Sequence, residues 1–471
     1  MCDYFGVMMN PFYNPFFLAK LLKSYVFDIN RLDRFSIEKL HRFQDKQVKS
    51  MVKYAWKVPM YHELYKKQGI TPNDINNRFD IEKLPIITKN DFKGKTLTDL
   101  IPRGKNPSSV VKVSTSGTTG KSLDLYVDMY EIIMGLFGYL RTIRSYGLNW
   151  RSHKLTIIGD FAPHTAESGY VKRGLLPKSW FQSSLKNIQW LDTNDSPENI
   201  LNALEEFQPD FIGGYTGMLG HIAVLKNQGM KSTIQPKVIA STGALLDPKL
   251  KEYIEKTFST KIFEVYGATE TGPIAFQRPG LTKYSIMSDF LLIEFQNEQG
   301  QYVSSQEPGY TIVTKLYSGG TPIIRYNAIN DIVSPEYEQD DSSVILPDSI
   351  KRIYGRDSIR LYRKDGKILL GSSLTTIFSR LLYKLETSKI RDLKVIQQDV
   401  DEIDVNYVVD ENLRNKGATI DTICQELEKG FKEVFGPAIQ VKFTEVSSVT
   451  RDEPRIMTKV NPEEITITGF A

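Results

Sequence analysis

Apolar and polar positions along this chain fall into helical and strand-like periods that change twice. In residues 36–59, Leu40, Phe43, Val48, Met51, Val52 and Trp56 recur at helical spacing, and Pro59 stops the run. MYHELYKKQGI reads as a short helix ended by Gly69, and Thr88-x-x-Asp91 as a capped helix start. Residues 131–148 form a further helix. From HKLTIIGDF onward, strand-like and helix-like runs alternate: IQWLD, a helix opened by Ser196-Pro197-Glu198, DFIGGY, a helix over 218–228, KVIAST, a helix over 248–258, then KIFEVYGATE. This order predicts a largely parallel sheet covered on both faces. In such sheets ligands gather where loops leave the carboxyl ends of strands, here GGYTG (213–217), STGALL (241–246) and YGATETG (266–272).

From Leu291 the pattern becomes that of antiparallel strands: LLIEFQ, YTIVTK and TPIIRYN, the last running out at Asn330-Asp331. Beyond a polar stretch (338–343) and Gly355-Arg356-Asp357, the pattern reads β-hairpin, helix, two strands, helix (Ile420–Phe435) and strand. The expectation is an α/β chain of two domains. Residues 1–354 make a large, multi-subdomain N-terminal domain of mostly parallel, helix-covered sheet plus antiparallel strands. Residues 355–471 make a small α+β C-terminal domain with its own core.

Composition narrows the function classes. A chain of 471 residues is too long for one core, and 41% hydrophobic with 25% charged residues is ordinary for a globular protein. A net charge of +4, with no dense run of Lys and Arg, argues against a nucleic-acid track. Cys2 and Cys424 lie at opposite ends, which excludes a disulfide framework or a cysteine metal site and points to the reducing cytoplasm. The histidines (His41, His62, His153, His164, His221) show no zinc spacing. The N-terminus lacks a basic start and a clean apolar run, so neither a signal peptide nor a transmembrane segment is expected. Phe5, Phe12, Tyr13, Phe16 and Phe17, with Lys20 and Lys23, suit a bilayer or partner contact; packing onto the body of the protein is the expected use.

The candidate chemistry centres on VKVSTSGTTGKS, residues 111–122. Glycines let several N–H groups aim at one point. Hydroxyls of Ser114, Thr115, Ser116, Thr118 and Thr119 add donors, and Lys121 adds a positive charge. Such a loop suits a polyphosphate. It is no Walker A motif, which would need glycine at Thr115. Glu270, flanked by Thr269 and Thr271, suits Mg²⁺ beside those phosphates. Asp331 suits the two hydroxyls of a ribose, and a small domain on a short hinge suits closure over the site. Together these features point to nucleotide-dependent activation of a substrate.

The order STSGTTGKS, VYGATETG, RYNAIND, GRD and a late lysine resembles the adenylate-forming superfamily, and more closely phenylacetate–CoA ligase and its capsular-polysaccharide-biosynthesis relatives. The likeness covers nearly the whole chain, including PDFIGGYTGMLGHIAVL and ASTGALLDPKLKEYIEKTF. It implies the adenylate-forming fold and a two-step reaction: a carboxylic acid and ATP give acyl-AMP, then a second nucleophile, commonly coenzyme A, displaces AMP. It implies that Ser116, Gly117, Thr118, Thr119, Gly120 and Lys121 hold phosphates, and that Gly243, Ala244, Leu245, Tyr266, Gly267 and Ala268 contact adenine. By the same resemblance Thr269 and Glu270 are expected to serve phosphate and Mg²⁺, Asp331 the ribose, Arg356 and Asp357 to lie at the hinge, and Lys459 to bridge carboxylate and phosphate. The chain departs from the family pattern at Thr458, where glycine is usual, at Ala244, where close relatives carry an acid, and in NAIND, which lacks an arginine before the aspartate. Two other readings stand beside transfer to coenzyme A: transfer to an amine or hydroxyl, for example on a surface-polysaccharide precursor, and a catalytically idle nucleotide-binding assembly component. The acid pocket is expected around Phe137, Tyr139, residues 213–217 and the residues after Ser241. Relatives suggest a monomer or homodimer.

Overall fold

The structure, a computed structural model, describes residues 14–114, 123–161, 186–230, 232–337, 346–347, 349–357, 359–449 and 454–470. A hairpin of β1 (Val110–Ser114) and β2 (Asp124–Asp128) precedes the main sheet. Then come five parallel strands, β3 (Leu155–Gly159), β4 (Ile188–Asp192), β5 (Phe211–Tyr215), β6 (Val238–Thr242) and β7 (Lys261–Ala268), in the spatial order β4-β3-β5-β6-β7. Their side chains alternate between faces. Ile158, Ile212, Ile239 and Ile262 pack with Ile200, Leu204, Ile222 and Ile254 of the crossover helices Pro197–Phe207, Thr216–Asn227 and Pro248–Phe258. Leu155, Phe211, Val238 and Ala240 belong to the second core, shared with the Met129–Ser145 helix. Ser196 and Asp247 cap two of the crossover helices, each with proline in the first turn.

The antiparallel half joins the same sheet through β7. Strands β8 (Gly272–Gln277), β9 (Tyr284–Ile286), β10 (Leu291–Gln296), β11 (Gly309–Lys315), β12 (Asp331–Glu336) and β13 (Ser349–Arg356) extend it to eleven strands. The TPIIRYN run differs from its expected form. It makes no regular strand; only Tyr326 bridges, to Ile87 and Val313. Arg325 has a left-handed backbone (φ 46°), which breaks the period-2 pattern, and its buried guanidinium binds the Glu294 carboxylate and the Glu82 and Leu84 carbonyls. Asp331 therefore opens β12 instead of ending a strand, entered through a left-handed Asn330 (φ 59°).

The C-terminal part has a core of its own. It holds a three-stranded sheet of β14 (Arg360–Tyr362), β15 (Lys367–Leu370) and β20 (Gly469–Phe470). A four-stranded sheet, ordered β18-β17-β16-β19, comprises β16 (Ile390–Asp399), β17 (Glu402–Val409), β18 (Gln440–Glu445) and β19 (Ile456–Thr458). Helices Thr375–Tyr383 and Ile420–Phe435 bury Ile377, Ile423, Leu427 and Phe431 against Val395, Ile403 and Val405.

At the other end of the chain, Asp289 is buried and receives Arg141 and Arg31, which ties the N-terminal segment to the body. Phe17 packs on the core, whereas Phe16 is 84% exposed. Among the described residues no helix is long and apolar enough to cross a membrane, and no cluster of metal-ligating side chains occurs.

Candidate functional site

The β1–β2 hairpin fixes where the hydroxyl-rich loop begins and ends. Ser114 lies opposite Asp124 and donates to its carboxylate at 2.7 Å. Ser116, Gly117, Thr118, Thr119, Gly120 and Lys121 lie outside the described residues. Their anchors do not: Val113 and Leu125 line a small cavity together with Thr269, Glu270 and the buried Glu131–Lys315 ion pair. Strand residues on either side of the loop therefore share a cavity with the Thr269-Glu270 turn.

That turn joins β7 to β8 and depends on Gly267, where a Cβ would come within 2.9 Å of the Gly272 carbonyl. Ala268 ends β7 beside it. The Glu270 carboxylate is buried; Tyr326 donates to it at 3.2 Å, and among the described residues no cation lies at ion-pair distance. Burial raises its pKa above the usual carboxylate value, opposed by the charges of Arg356 and Lys89. Asp331 is buried alongside: the Tyr266 hydroxyl donates to it at 2.7 Å and Arg356 Nε stands 3.7 Å away. Its pKa is also raised by burial, with Arg356 and the Tyr266 hydrogen bond acting the other way. Two desolvated carboxylates, one guanidinium and two phenols thus face one corner of the sheet.

The other expected residues fall around this corner or away from it. Gly243 follows β6 at φ +81°, and a Cβ there would meet the Tyr215 ring at 2.2 Å. Ala244 accepts a hydrogen bond from Thr216 at 3.0 Å. Leu245 lines a cleft of about 500 Å³ shared with Tyr354 of β13 and with Ser372 and other residues of the C-terminal part. Asp357 is held by Tyr310 (2.6 Å) and Arg360 (2.8 and 2.6 Å), and its N–H donates to the Asn330 carbonyl. Lys459 stands apart from the cluster. It is exposed, follows β19, and its N–H donates to the Gln397 carbonyl at 2.8 Å. Phe137 and Tyr139, two positions apart on a helix, point away from each other, Phe137 buried and edge-on to Tyr25 and Tyr139 exposed.

Lys89 and Tyr326 escaped the sequence reading. Lys89 opens a helix marked only by its Thr88–Asp91 capping box, and nothing local ties it to Glu270. Tyr326 sits in the run mistaken for a strand.

No protein-family model matches the chain. A protein named CapK from Staphylococcus aureus is 24% identical over 421 residues, covering 88% of each chain. Phenylacetate-coenzyme A ligase of Escherichia coli K12 is 22% identical over 454 residues, 90% of this chain and 95% of that protein. A solved structure of 2-hydroxyisobutyryl-CoA ligase, in the postadenylation state in complex with R3-HIB-AMP, superimposes with a TM-score of 0.68 at 15% identity over 90% of both chains. The chain thus has the fold of the adenylate-forming ligases and is related over nearly its whole length to phenylacetate–coenzyme A ligase and to CapK.

Proposed function

We propose that the protein is an ATP-dependent, AMP-forming acid ligase that passes its acyl group to coenzyme A. The observation that carries this reading is the meeting of the loop anchors Val113 and Leu125 with Thr269-Glu270, beside the Tyr266–Asp331–Arg356 cluster. The kinship with phenylacetate-coenzyme A ligase, and with a ligase fold solved around an acyl-AMP, supports it.

In the first half-reaction a carboxylate oxygen attacks the α-phosphorus of ATP and pyrophosphate leaves. Loop hydroxyls, N–H groups and Lys121 receive the phosphates, lowering the repulsion between two anions; each well-placed donor of this kind is worth about 3–4 kcal/mol. Asp331, oriented by Tyr266, accepts from the ribose hydroxyls, while the segment 243–245 and Tyr266-Gly267-Ala268 flank the base. Glu270 is a buried carboxylate without a cation partner among the described residues, which fits a site for Mg²⁺. Bound there, the ion would neutralise phosphate charge.

In the second half-reaction a thiol attacks the acyl carbon and AMP leaves. Lys459 lies on the C-terminal part, so its service in the first half requires that part to rotate about Gly355–Asp357. CapK leaves the acceptor open, and transfer to an amine or hydroxyl is the second reading. Acid-dependent exchange of labelled pyrophosphate into ATP tests adenylation, and its absence across a broad acid panel would leave the idle nucleotide-binding reading. AMP release that needs coenzyme A and no amine separates the two acceptors.

A further inference from the structure

The Ile37–Ala55 helix buries Gln44, Val48, Met51, Val52 and Ala55 on one side. On the opposite side Lys39, Arg42, Lys46, Lys49 and Lys53 follow one another at intervals of three and four residues. The stripe is invisible as a run in the sequence because apolar core residues separate its members. Four of the five are exposed and Lys49 is half-buried; none makes an ion pair among the described residues. Residues 14–67 hold twelve Lys and Arg against five Asp and Glu, although the whole chain is nearly balanced at 60 against 56. Four of those five acids are already engaged, Asp28 by Arg31, Asp33 by Arg278, Asp45 by Arg78 and Glu63 by Lys95.

Large apolar side chains stand out of the same region. Phe16 is 84% exposed, Leu22 64%, Phe27 58%, Val26 44%, Ile37 44% and Phe35 37%. Two contacts link Val26 and Phe35 to the stripe. Arg34 donates to the Val26 carbonyl at 3.3 Å, Phe35 lies edge-on to Phe43 at 6.2 Å, and Phe43 is one turn from Lys39 on the long helix. The Pro15–Lys23 helix that carries Phe16 and Leu22 buries no residue fully and adds Lys20 and Lys23 in its last turn.

We propose that this face docks on an anionic lipid bilayer, the basic stripe against headgroups and the apolar side chains in the interface. Positive charge alone would serve a nucleic acid equally well. Solvent-facing Phe, Leu, Val and Ile beside it favour a surface with an apolar interior. A stripe along nineteen residues of helix is about 28 Å long, enough to lie flat on headgroups. The proposal does not depend on the ligase chemistry, because the face carries none of the candidate site residues.

Co-sedimentation of the full chain with vesicles tests it. Vesicles of phosphatidylcholine with phosphatidylglycerol should pull the protein down, vesicles of phosphatidylcholine alone should not, and molar salt should release it as the screening length falls to about 3 Å. Each basic residue near the surface contributes about fivefold, so the triple variant Lys39→Gln, Lys46→Gln, Lys53→Gln should lose about a hundredfold in partition. The variant Phe16→Ser, Phe27→Ser should lose about tenfold or more without changing net charge. All five side chains are exposed, so folding is untouched, and slowed hydrogen exchange over residues 14–57 on anionic vesicles gives a second readout. Failure to bind anionic vesicles, or wild-type binding by the triple variant, would overturn the proposal. So would tight binding to duplex DNA that is indifferent to the Phe16 and Phe27 changes, which would assign the face to nucleic acid.

Discussion

Replacing Tyr266 by Phe removes one oxygen from the candidate nucleotide site and nothing else. That oxygen donates to Asp331 at 2.7 Å, and both residues are buried. A hydrogen bond to a charged, buried acceptor contributes about 1.5–3 kcal/mol. Arg356, 3.7 Å from Asp331, is too distant to replace it by a strong hydrogen bond. If Asp331 must keep this orientation to receive the ribose, the loss appears in ATP affinity as about 10- to 150-fold. ATP at a hundred times its dissociation constant stabilises the wild type by about 2.7 kcal/mol; at the same concentration the variant should gain only about 0.3–1.4 kcal/mol. Urea titrations with and without ATP measure this increment apart from any change in the ligand-free protein. Because the Tyr266 hydroxyl favours the ionised carboxylate, its removal raises the Asp331 pKa further, so ATP binding should fail at a higher pH on the acid side. An unchanged ATP increment, with only the ligand-free stability lowered, would show that Asp331 does not serve the nucleotide.

Glu270→Gln should abolish magnesium-dependent turnover yet stabilise the ligand-free protein, because it removes a desolvated charge while keeping an acceptor for Tyr326. The sign with pH follows from the raised pKa: the folded state binds more protons, so wild-type stability from this group falls as pH climbs from the unfolded value of about 4.3 through the raised one. Variant-minus-wild-type stability should therefore grow with pH over that window; a flat difference in denaturant titrations would contradict it. Gly355→Ala places a Cβ at φ +107° about 2.2 Å from Ser372 Oγ, a strain of about 1–3 kcal/mol, and should slow acyl transfer more than adenylation in single-turnover assays. Equal slowing of both steps would remove Gly355 from the hinge. Lys459→Ala should abolish acyl-AMP formation while sparing turnover of pre-formed acyl-AMP; retention of both rates would end its assignment.

The alternation of strands and helices from Ser196 to Phe258 was legible because two of its three helices open on a local cap, Ser196-Pro197 and Asp247-Pro248, and the third is followed by Gly229. The separate core of the C-terminal part was legible for a similar reason, its long helix being apolar on one side. TPIIRYN misled because its composition suits a strand, while the buried bonds of Arg325 to residues 82, 84 and 294 decide its backbone. The union of parallel and antiparallel strands in one sheet was likewise beyond periodicity, which carries no information on which edges pair. At the site, Glu270 and Asp331 stood out as acids in unusual settings. Their partners Tyr326 and Tyr266 lie 56 and 65 residues away along the chain, and no local pattern announces such a meeting.

Labelling the oxygens of the carboxylic acid tests the central claim most directly. When an acid that supports pyrophosphate exchange is supplied with ¹⁸O in its carboxyl group, attack on the α-phosphorus followed by acyl transfer must leave one labelled oxygen on AMP. Mass spectrometry should find AMP carrying the label and pyrophosphate carrying none. Unlabelled AMP, or label in inorganic phosphate together with ADP, would contradict adenylation at this site.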